Sequence, residues 1–262
     1  MPYFAYRGGA VNATQARVVT AGRSAEEALE PLFGWLRALA DDGSPMGVAA
    51  GMRATGDGWV SVAELVAPPY DRLGVLIAEA ERTWGAPPHV AAALWWKSFS
   101  YWTALPVAMG WALNRRVPVL TAGTTMLAVP AAEAGMLIGT SELRAATGDV
   151  GAVIADTLVH DVHAPLIDAL HALTRVGRRG LWGSVAEALV YPLLSFDVLD
   201  DPGGAARTLL ESVGEPVAGL VELPALRRRT CCLWVTLPGS EACPTCCVTG
   251  QATGKRSAGA RA

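Results

Sequence analysis

Residues 94–102 read Leu-Trp-Trp-Lys-Ser-Phe-Ser-Tyr-Trp and hold three of the nine tryptophans in the chain. Aromatic side chains bury a large apolar area, so this stretch predicts the central helix of a hydrophobic core. A substrate cleft lined by tryptophans is the alternative interpretation. Lys97 and Pro106 interrupt the longer apolar run 90–113. We therefore expect a buried helix there and not a membrane span, which needs about 20 predominantly apolar residues.

Helical patterns also occur on both sides of this stretch. Apolar residues recur at spacings of three and four over residues 29–39, as in an amphipathic helix. A serine followed three residues later by a glutamate is typical of a capping box, and this pattern begins at Ser24, Ser61 and Ser184. The last of these predicts a helix through Leu194. Further helices are expected over residues 73–83, from Ala164 with Pro165 in its first turn, and over 205–212.

The sequence predicts a mainly helical α+β fold. Short apolar runs separated by glycine and proline over residues 117–139 indicate a small antiparallel sheet. We expect a single helical domain over residues 1–226, followed by a cysteine-rich cluster loop over 227–249. Residues 250–262 are rich in glycine, alanine, serine and basic residues, and they are expected to form a disordered tail.

Composition narrows the class of protein. Of the 262 residues, 52% are hydrophobic and 17% are charged, which is enough to bury a sizeable core. The formal net charge of -3 argues against a nucleic-acid binder. The first seven residues lack the basic start and apolar core of a signal peptide. We therefore expect a cytoplasmic protein, with peripheral membrane association as an open possibility.

All five cysteines lie in one short window near the C-terminal end. Cys231, Cys232, Cys243 and Cys246 have the spacing C-C-x10-C-x2-C, and Cys247 follows directly. In a reducing cytoplasm, clustered cysteines favour metal or redox chemistry over structural disulfides. The sequence therefore predicts a metal centre built from these thiolates.

The spacing distinguishes between possible metals. A structural zinc site typically pairs two short C-x2–4-C motifs, and only Cys243 and Cys246 form one. Neighbouring side chains point apart, so Cys231 and Cys232 are poorly placed to bind one ion together. Two irons span a wider distance, which favours a [2Fe–2S] cluster. Zinc, and labile or disulfide-forming cysteines, are the alternatives.

Two stretches resemble a known family. The run 228–234, Leu237-Pro238-Gly239 and Cys243-Pro244-Thr245-Cys246 closely resemble the C-terminal signature of FhuF-type ferric siderophore reductases. Leu181-Trp182-Gly183-Ser184 is similar to the family's Leu-Trp-Gly-Asn turn before a helix. The resemblance is strong over residues 181–247, looser over 90–180 and absent from the first 80. Cys247 departs from the family pattern, either as an alternative ligand or as a spare thiol.

The resemblance implies a cofactor and an activity. Cys231, Cys232, Cys243 and Cys246 would hold a [2Fe–2S] cluster that reduces a ferric siderophore of hydroxamate type and releases Fe(II) in the cytoplasm. A ferredoxin or a flavin reductase would supply the electron. No catalytic acid, base or nucleophile is expected, because one electron makes the iron labile. The competing interpretations are a non-enzymatic iron–sulfur or zinc-binding interaction or sensor protein, and a siderophore-assembly enzyme, for which no nucleotide-binding motif is found.

Several residues near the cysteines have two interpretations. Arg227, Arg228 and Arg229 either stabilise the reduced cluster and dock an acidic ferredoxin, or form a solvated basic loop. Trp234 is expected to pack over the cluster and shield it from water. His160 and His163 are expected to cap a helix or to be partly buried, and not to bind metal.

Overall fold

The computed structural model describes residues 17–19, 22–44, 46–129 and 135–248. The predicted tail over residues 250–262 lies outside this part of the chain. The α-helices are α1 (Arg23–Asp41), α2 (Val62–Leu65), α3 (Asp71–Trp84), α4 (Pro88–Asn114), α5 (Val150–Ile154), α6 (Ala164–Thr174), α7 (Arg178–Ser195) and α8 (Pro202–Val213). The strands are β1 (Arg17–Val19), β2 (Val48–Arg53), β3 (Val60–Ser61), β4 (Val117–Pro118), β5 (Thr125–Ala128), β6 (Leu137–Thr140), β7 (Ala145–Thr147), β8 (Val221–Glu222) and β9 (Arg227–Arg228). The prediction of a mainly helical α+β fold is confirmed.

Helix α4 lies at the centre of the hydrophobic core. It packs most extensively against α7 and also against α1 and α3. Trp95 and Trp96 are both buried, and the indole Nε1 of Trp96 donates to the Leu181 carbonyl of α7 over 2.9 Å. The stretch of tryptophans is therefore the core helix that the sequence predicts, and these two side chains do not line a cleft.

The strands form small sheets at the edge of the helical core. One sheet has the order β2-β6-β5-β3. Its β5–β6 pair is antiparallel, as predicted for residues 117–139, and β3, which lies outside that region, also pairs antiparallel with β5. The structure differs from the prediction at β4, which belongs to the separate sheet β1-β7-β4. It also adds β2, for which no strand was predicted and which runs parallel to β6. Their partners lie far away in the sequence, where a local pattern of apolar residues gives no information about pairing.

Only one of the predicted capping boxes forms. Ser61 Oγ accepts from the Glu64 N–H over 3.2 Å, and the Glu64 carboxylate accepts from the Ser61 N–H over 2.9 Å. The prediction at Ser24 is wrong, since α1 begins at Arg23 after Gly22, whose φ of 87° suits glycine. The prediction at Ser184 is also wrong, because α7 already begins at Arg178 and Ser184 is buried inside it. Helix α8 likewise begins earlier than expected, at Pro202, and Asp201 caps it.

The helix predicted to begin at Ala164 continues a longer helical path. Residues Val150–Thr174 run through α5, a nine-residue π-helical stretch, Ala155–His163, and α6. Among the described helices this path alone is long and apolar enough to cross a membrane, with a mean hydropathy of 1.3. The interior of the protein buries 56% of that window, and the core helix of a soluble protein passes the same test.

The two histidines of this path face different surroundings. His160 is exposed, whereas His163 is fully buried and caps no helix. His163 Nε2 lies 2.9 Å from Thr103 Oγ1, and its ring meets Trp96 edge to face at 5.2 Å. The expectation of a capping or partly buried pair is thus wrong for His163, which is a core residue.

We predict that His163 makes the fold sensitive to acid. Burial lowers the pKa of His163 from 6.5 to about 3, so the ring stays neutral in the folded protein while it binds a proton in the unfolded chain. Stability is therefore full above pH 6.5 and falls by about 1.4 kcal/mol for each pH unit below it. Urea unfolding from about pH 7.5 down to about pH 4.5 should show this slope in the wild type and lose it in His163→Gln. The exposed His160→Gln should keep the slope, and equal slopes in all three proteins would contradict the prediction.

Candidate metal centre

The cysteine segment, which comprises residues 227–248 in the described part of the chain, packs directly onto the first turns of α7. A Cβ atom at Gly183 would lie only 1.8 Å from Thr230 Oγ1, so a glycine is required where the segment crosses the helix. The Arg228 N–H donates to the Thr245 carbonyl over 2.9 Å and joins the two halves of the segment. Leu181-Trp182-Gly183-Ser184 is therefore not the turn that the resemblance implied. It lies inside α7, and its glycine allows the close approach.

Apolar residues fasten the middle of the segment to α4. Leu233, Trp234 and Leu237 pack against a small buried cluster, which consists of Ala86, Val90 and Leu94. The Trp234 ring also meets the Trp84 ring edge to face, with 5.3 Å between centroids. The expected packing role of Trp234 is confirmed, and its shielding of a cluster stays a prediction.

The structure brings together two sulfurs from opposite halves of the motif. Cys232 Sγ lies 3.6 Å from Cys243 Sγ, far beyond the S–S bond of about 2.05 Å in a disulfide. Two thiolates on one tetrahedral metal, with metal–sulfur bonds of about 2.3 Å, would lie roughly 3.8 Å apart. The pair therefore has the separation of two ligands on a single metal ion.

The other cysteines lie nearby without completing a ligand set. Cys231 Sγ accepts from the Leu233 N–H over 3.3 Å, and Cys246 Sγ accepts from the Val248 N–H over 3.4 Å. Burial raises the pKa of the Cys247 thiol, and its neighbours Cys231 and Cys246 raise it further. No group of three His, Cys, Asp or Glu side chains in the described part of the chain is arranged to hold a metal.

The paired sulfurs differ in their affinity for a proton. A hydrogen bond from Cys243 lowers the pKa of Cys232, and the positive charges of Lys97 and Arg228 lower it further. The same bond raises the pKa of Cys243, together with burial and the Cys232 thiolate. The Cys243 thiol is therefore the donor of this hydrogen bond, and the surrounding positive charge favours the thiolate form of Cys232. Thiolates are the form in which cysteine binds metals.

A buried cluster of charges lies beside these sulfurs. The Glu187 carboxylate of α7 accepts from Arg228 Nη1 over 3.0 Å, from Lys97 Nζ over 3.3 Å and from the Thr245 hydroxyl. The Arg228 side chain has no exposed surface, and its Nη2 also donates to the Gly180 carbonyl. Lys97 and Arg228 carry two positive charges and Glu187 carries one negative charge, so the cluster has a net positive charge. This charge stabilises negatively charged thiolates at the neighbouring cysteines.

Sequence reasoning missed Glu187 as part of the site because it interpreted the residue as half of a capping box. One signal was present: Glu187 stands between Val185, Ala186, Ala188 and Leu189, so it lies in an apolar run. A carboxylate in a buried helix face needs a cationic or hydrogen-bonding partner. Such a partner was available in the arginine run next to the cysteines.

The three arginines play different parts. Arg228 is buried in the charge cluster, so the interpretation of a wholly solvated basic loop is wrong for this residue. Arg227 and Arg229 lie nearer the surface, and both pair with Glu222, over 3.8 Å and 3.5 Å. Arg227 also donates from Nη2 to the Cys247 carbonyl over 3.2 Å, so Arg228 acts on the cysteine segment from the interior and Arg227 from nearer the surface.

Comparisons of the chain with protein-family models and with curated proteins find no match. The chemistry of the site is therefore judged from its own residues. Soft thiolate ligands suit zinc and iron–sulfur clusters. The donor set and the separation of the Cys232 and Cys243 sulfurs fit either group, and the buried positive charge would offset the negative charge of both.

We predict that Gly183→Ala displaces the cysteine segment. The new methyl group would overlap the Thr230 hydroxyl, and such overpacking costs typically 1–3 kcal/mol. Urea unfolding should show this loss. Adding Thr230→Ala should recover part of it, because the overlapping oxygen is gone. Gly74→Ala is the control, since nothing lies within 4 Å of its added Cβ and alanine favours its helix. Equal stability of Gly183→Ala and the wild type would contradict the predicted contact.

We predict that Glu187→Gln strongly destabilises the protein. The substitution leaves the buried Arg228 and the partly buried Lys97 without a counter-charge, and breaking a buried pair in this way costs about 3–5 kcal/mol. Glu222→Gln is the matched control. It removes an exposed carboxylate between two arginines and should cost at most about 1 kcal/mol. Urea unfolding of both variants measures the difference, and equal losses would show that the cluster does not stabilise the fold.

Proposed function

We propose that this protein is a [2Fe–2S] ferric siderophore reductase, which delivers one electron to a ferric siderophore in the cytoplasm and so releases Fe(II). The observation that carries the proposal is the 3.6 Å separation of the Cys232 and Cys243 sulfurs, which come from opposite halves of the motif. The resemblance of residues 181–247 to FhuF-type reductases supports the same assignment.

Cys231, Cys232, Cys243 and Cys246 would hold the cluster. The 3.6 Å between the Cys232 and Cys243 sulfurs supports this assignment, because two ligands of one metal ion have a similar separation. When bound, a [2Fe–2S] cluster supplies one electron at a time, which is what reduction of Fe(III) to Fe(II) requires. The protein's own residues adapt the site to this chemistry. Lys97 and Arg228 place positive charge beside the sulfurs, which favours a more negative reduced centre.

No proton-transfer residue is needed for iron release. Siderophores hold Fe(III) through hard, anionic oxygen atoms, and lowering the charge of the iron weakens those bonds. The electron would come from a separate donor, a ferredoxin or a flavin reductase. Cytoplasmic thiols stay reduced, so the free cysteines of this segment are compatible with that compartment.

A zinc-binding interaction module is the second candidate. The distance between the Cys232 and Cys243 sulfurs fits a tetrahedral zinc ion as well as it fits iron. Such a module would be colourless and would have no redox activity.

We predict that the anaerobically purified protein is red-brown. Reduction with dithionite should produce an EPR signal, and this signal should disappear as Fe(II) forms when a ferric hydroxamate is added. Visible and EPR spectra before and after each addition are the measurement. A colourless protein with one bound zinc would overturn the reductase proposal in favour of the zinc module.

Single cysteine variants test the ligand assignment within the same experiment. Serine at position 231, 232, 243 or 246 should abolish or severely weaken the visible spectrum, because each removes a ligand. Cys247→Ser is the matched control and should keep the spectrum. A normal spectrum after substitution of any of the four would remove that residue from the ligand set.

A further inference from the structure

A cavity of about 300 Å³ opens beside the cysteine segment. One wall is the start of α7, with Arg179 and Gly180, and the other is the segment itself, with Arg229, Cys231 and Cys232. The remaining lining residues are apolar or small and uncharged. The cavity therefore reaches two of the proposed cluster ligands.

The charged residues of this cavity are all positive. Arg179 and Arg229 line it, and no carboxylate does. The exposed side chain of Arg179 has no hydrogen bond or ion pair with another residue in the described part of the chain, whereas the side chain of Arg178 pairs with Asp168 over 2.7 Å. Arg229 also lines this cavity, but its guanidinium group is engaged elsewhere: Nη1 donates to the Gly219 carbonyl over 3.3 Å and Nε pairs with Glu222 over 3.5 Å. The cavity thus presents a free guanidinium group beside the cysteines.

A second cavity, of about 200 Å³, also lies near the cysteine segment and lacks this property. It is lined by Lys97, Glu187 and Thr245, whose polar groups already bind one another. The first cavity, which is lined by Arg179 and Arg229 and is called the positive cavity below, is therefore the better site for a negatively charged ligand.

We propose that the positive cavity seats an anionic, oxygen-rich ferric chelate. The inference rests on the proposed reductase function and names its substrate class. Hydroxamate groups carry one charge each, so a complete ferric hydroxamate is neutral. Catecholate and hydroxycarboxylate ligands carry more charge and leave the complex negative. A guanidinium group matches the paired oxygens of such ligands with parallel hydrogen bonds.

The shape of the cavity favours a small chelate over a protein partner. Its volume is at the lower end for ligand pockets, so a chelate would enter with one charged face and leave the remainder in solvent. A docked protein would need a broad surface of about 800 Å² on each partner. The half-buried Cys231 in the wall brings a bound ferric ion close to the cluster ligands. A [2Fe–2S] cluster held by these cysteines would supply the electron to the ferric ion, an external donor would replace that electron, and no covalent bond to the protein would form.

Binding of redox-inert gallium(III) complexes to the purified protein tests the inference without any turnover. Isothermal titration calorimetry should show that gallium citrate, which is anionic, binds at least about tenfold more tightly than a neutral gallium tris-hydroxamate, a difference of about 1.4 kcal/mol. Arg179→Gln should weaken citrate binding about tenfold. Arg178→Gln is the matched control, because it removes the same charge from the adjacent residue outside the cavity, and it should change binding little.

The outcomes separate this inference from the proposed function. If the protein contains no cluster but binds gallium citrate in a way that depends on Arg179, the anion-binding site is supported and the proposed reductase function is overturned. A protein that contains the cluster but binds both gallium complexes equally, or is unaffected by Arg179→Gln, would overturn the inference alone. Loss of electron transfer from a reduced ferredoxin in Arg179→Gln, with gallium binding unchanged, would also overturn it and assign the arginine to donor docking.

Discussion

The carboxylate of Glu187 is the point at which the two central helices and the cysteine segment are held together. It binds Lys97 from α4, and Arg228 and Thr245 from the segment, while it projects from α7. Buried charges are stable only when they are paired and hydrogen-bonded. Since Arg228 and Thr245 lie on either side of the cysteines, this one carboxylate sets where both halves of the motif rest on the helix.

Close packing at Gly183 and charge at Glu187 complement each other. Because Gly183 has no side chain, Thr230 can pack directly against α7. The Glu187 carboxylate, one turn further along α7, then binds the nearby Arg228. The adjacent Cys232 is thereby placed beside Cys243, in a region where positive charge favours its thiolate. The helical core thus acts on the sulfurs both sterically and electrostatically.

Local features of this chain were predictable, and long-range ones were not. The aromatic run around Trp96 predicts α4 because a helix that is apolar on every side can only be buried. The Ser61 capping box forms because both partners lie within one turn. The same Ser-x-x-Glu pattern at Ser184 does not form a capping box, because Glu187 binds Arg228, 41 residues further along the chain. The cavity at Arg179 lies between two segments that no local pattern connects.

The order of the elements along the chain determines when the site is completed. Helices α4 and α7 leave the ribosome before the cysteines do, and domains fold largely as their residues emerge. Until Arg228 arrives, Glu187 has only Lys97 as a charged partner. The cysteine segment therefore packs onto an existing helical scaffold, and Arg228 adds a second cation to the Glu187 carboxylate. A cofactor that these cysteines would hold would therefore enter a protein whose helical core has already formed.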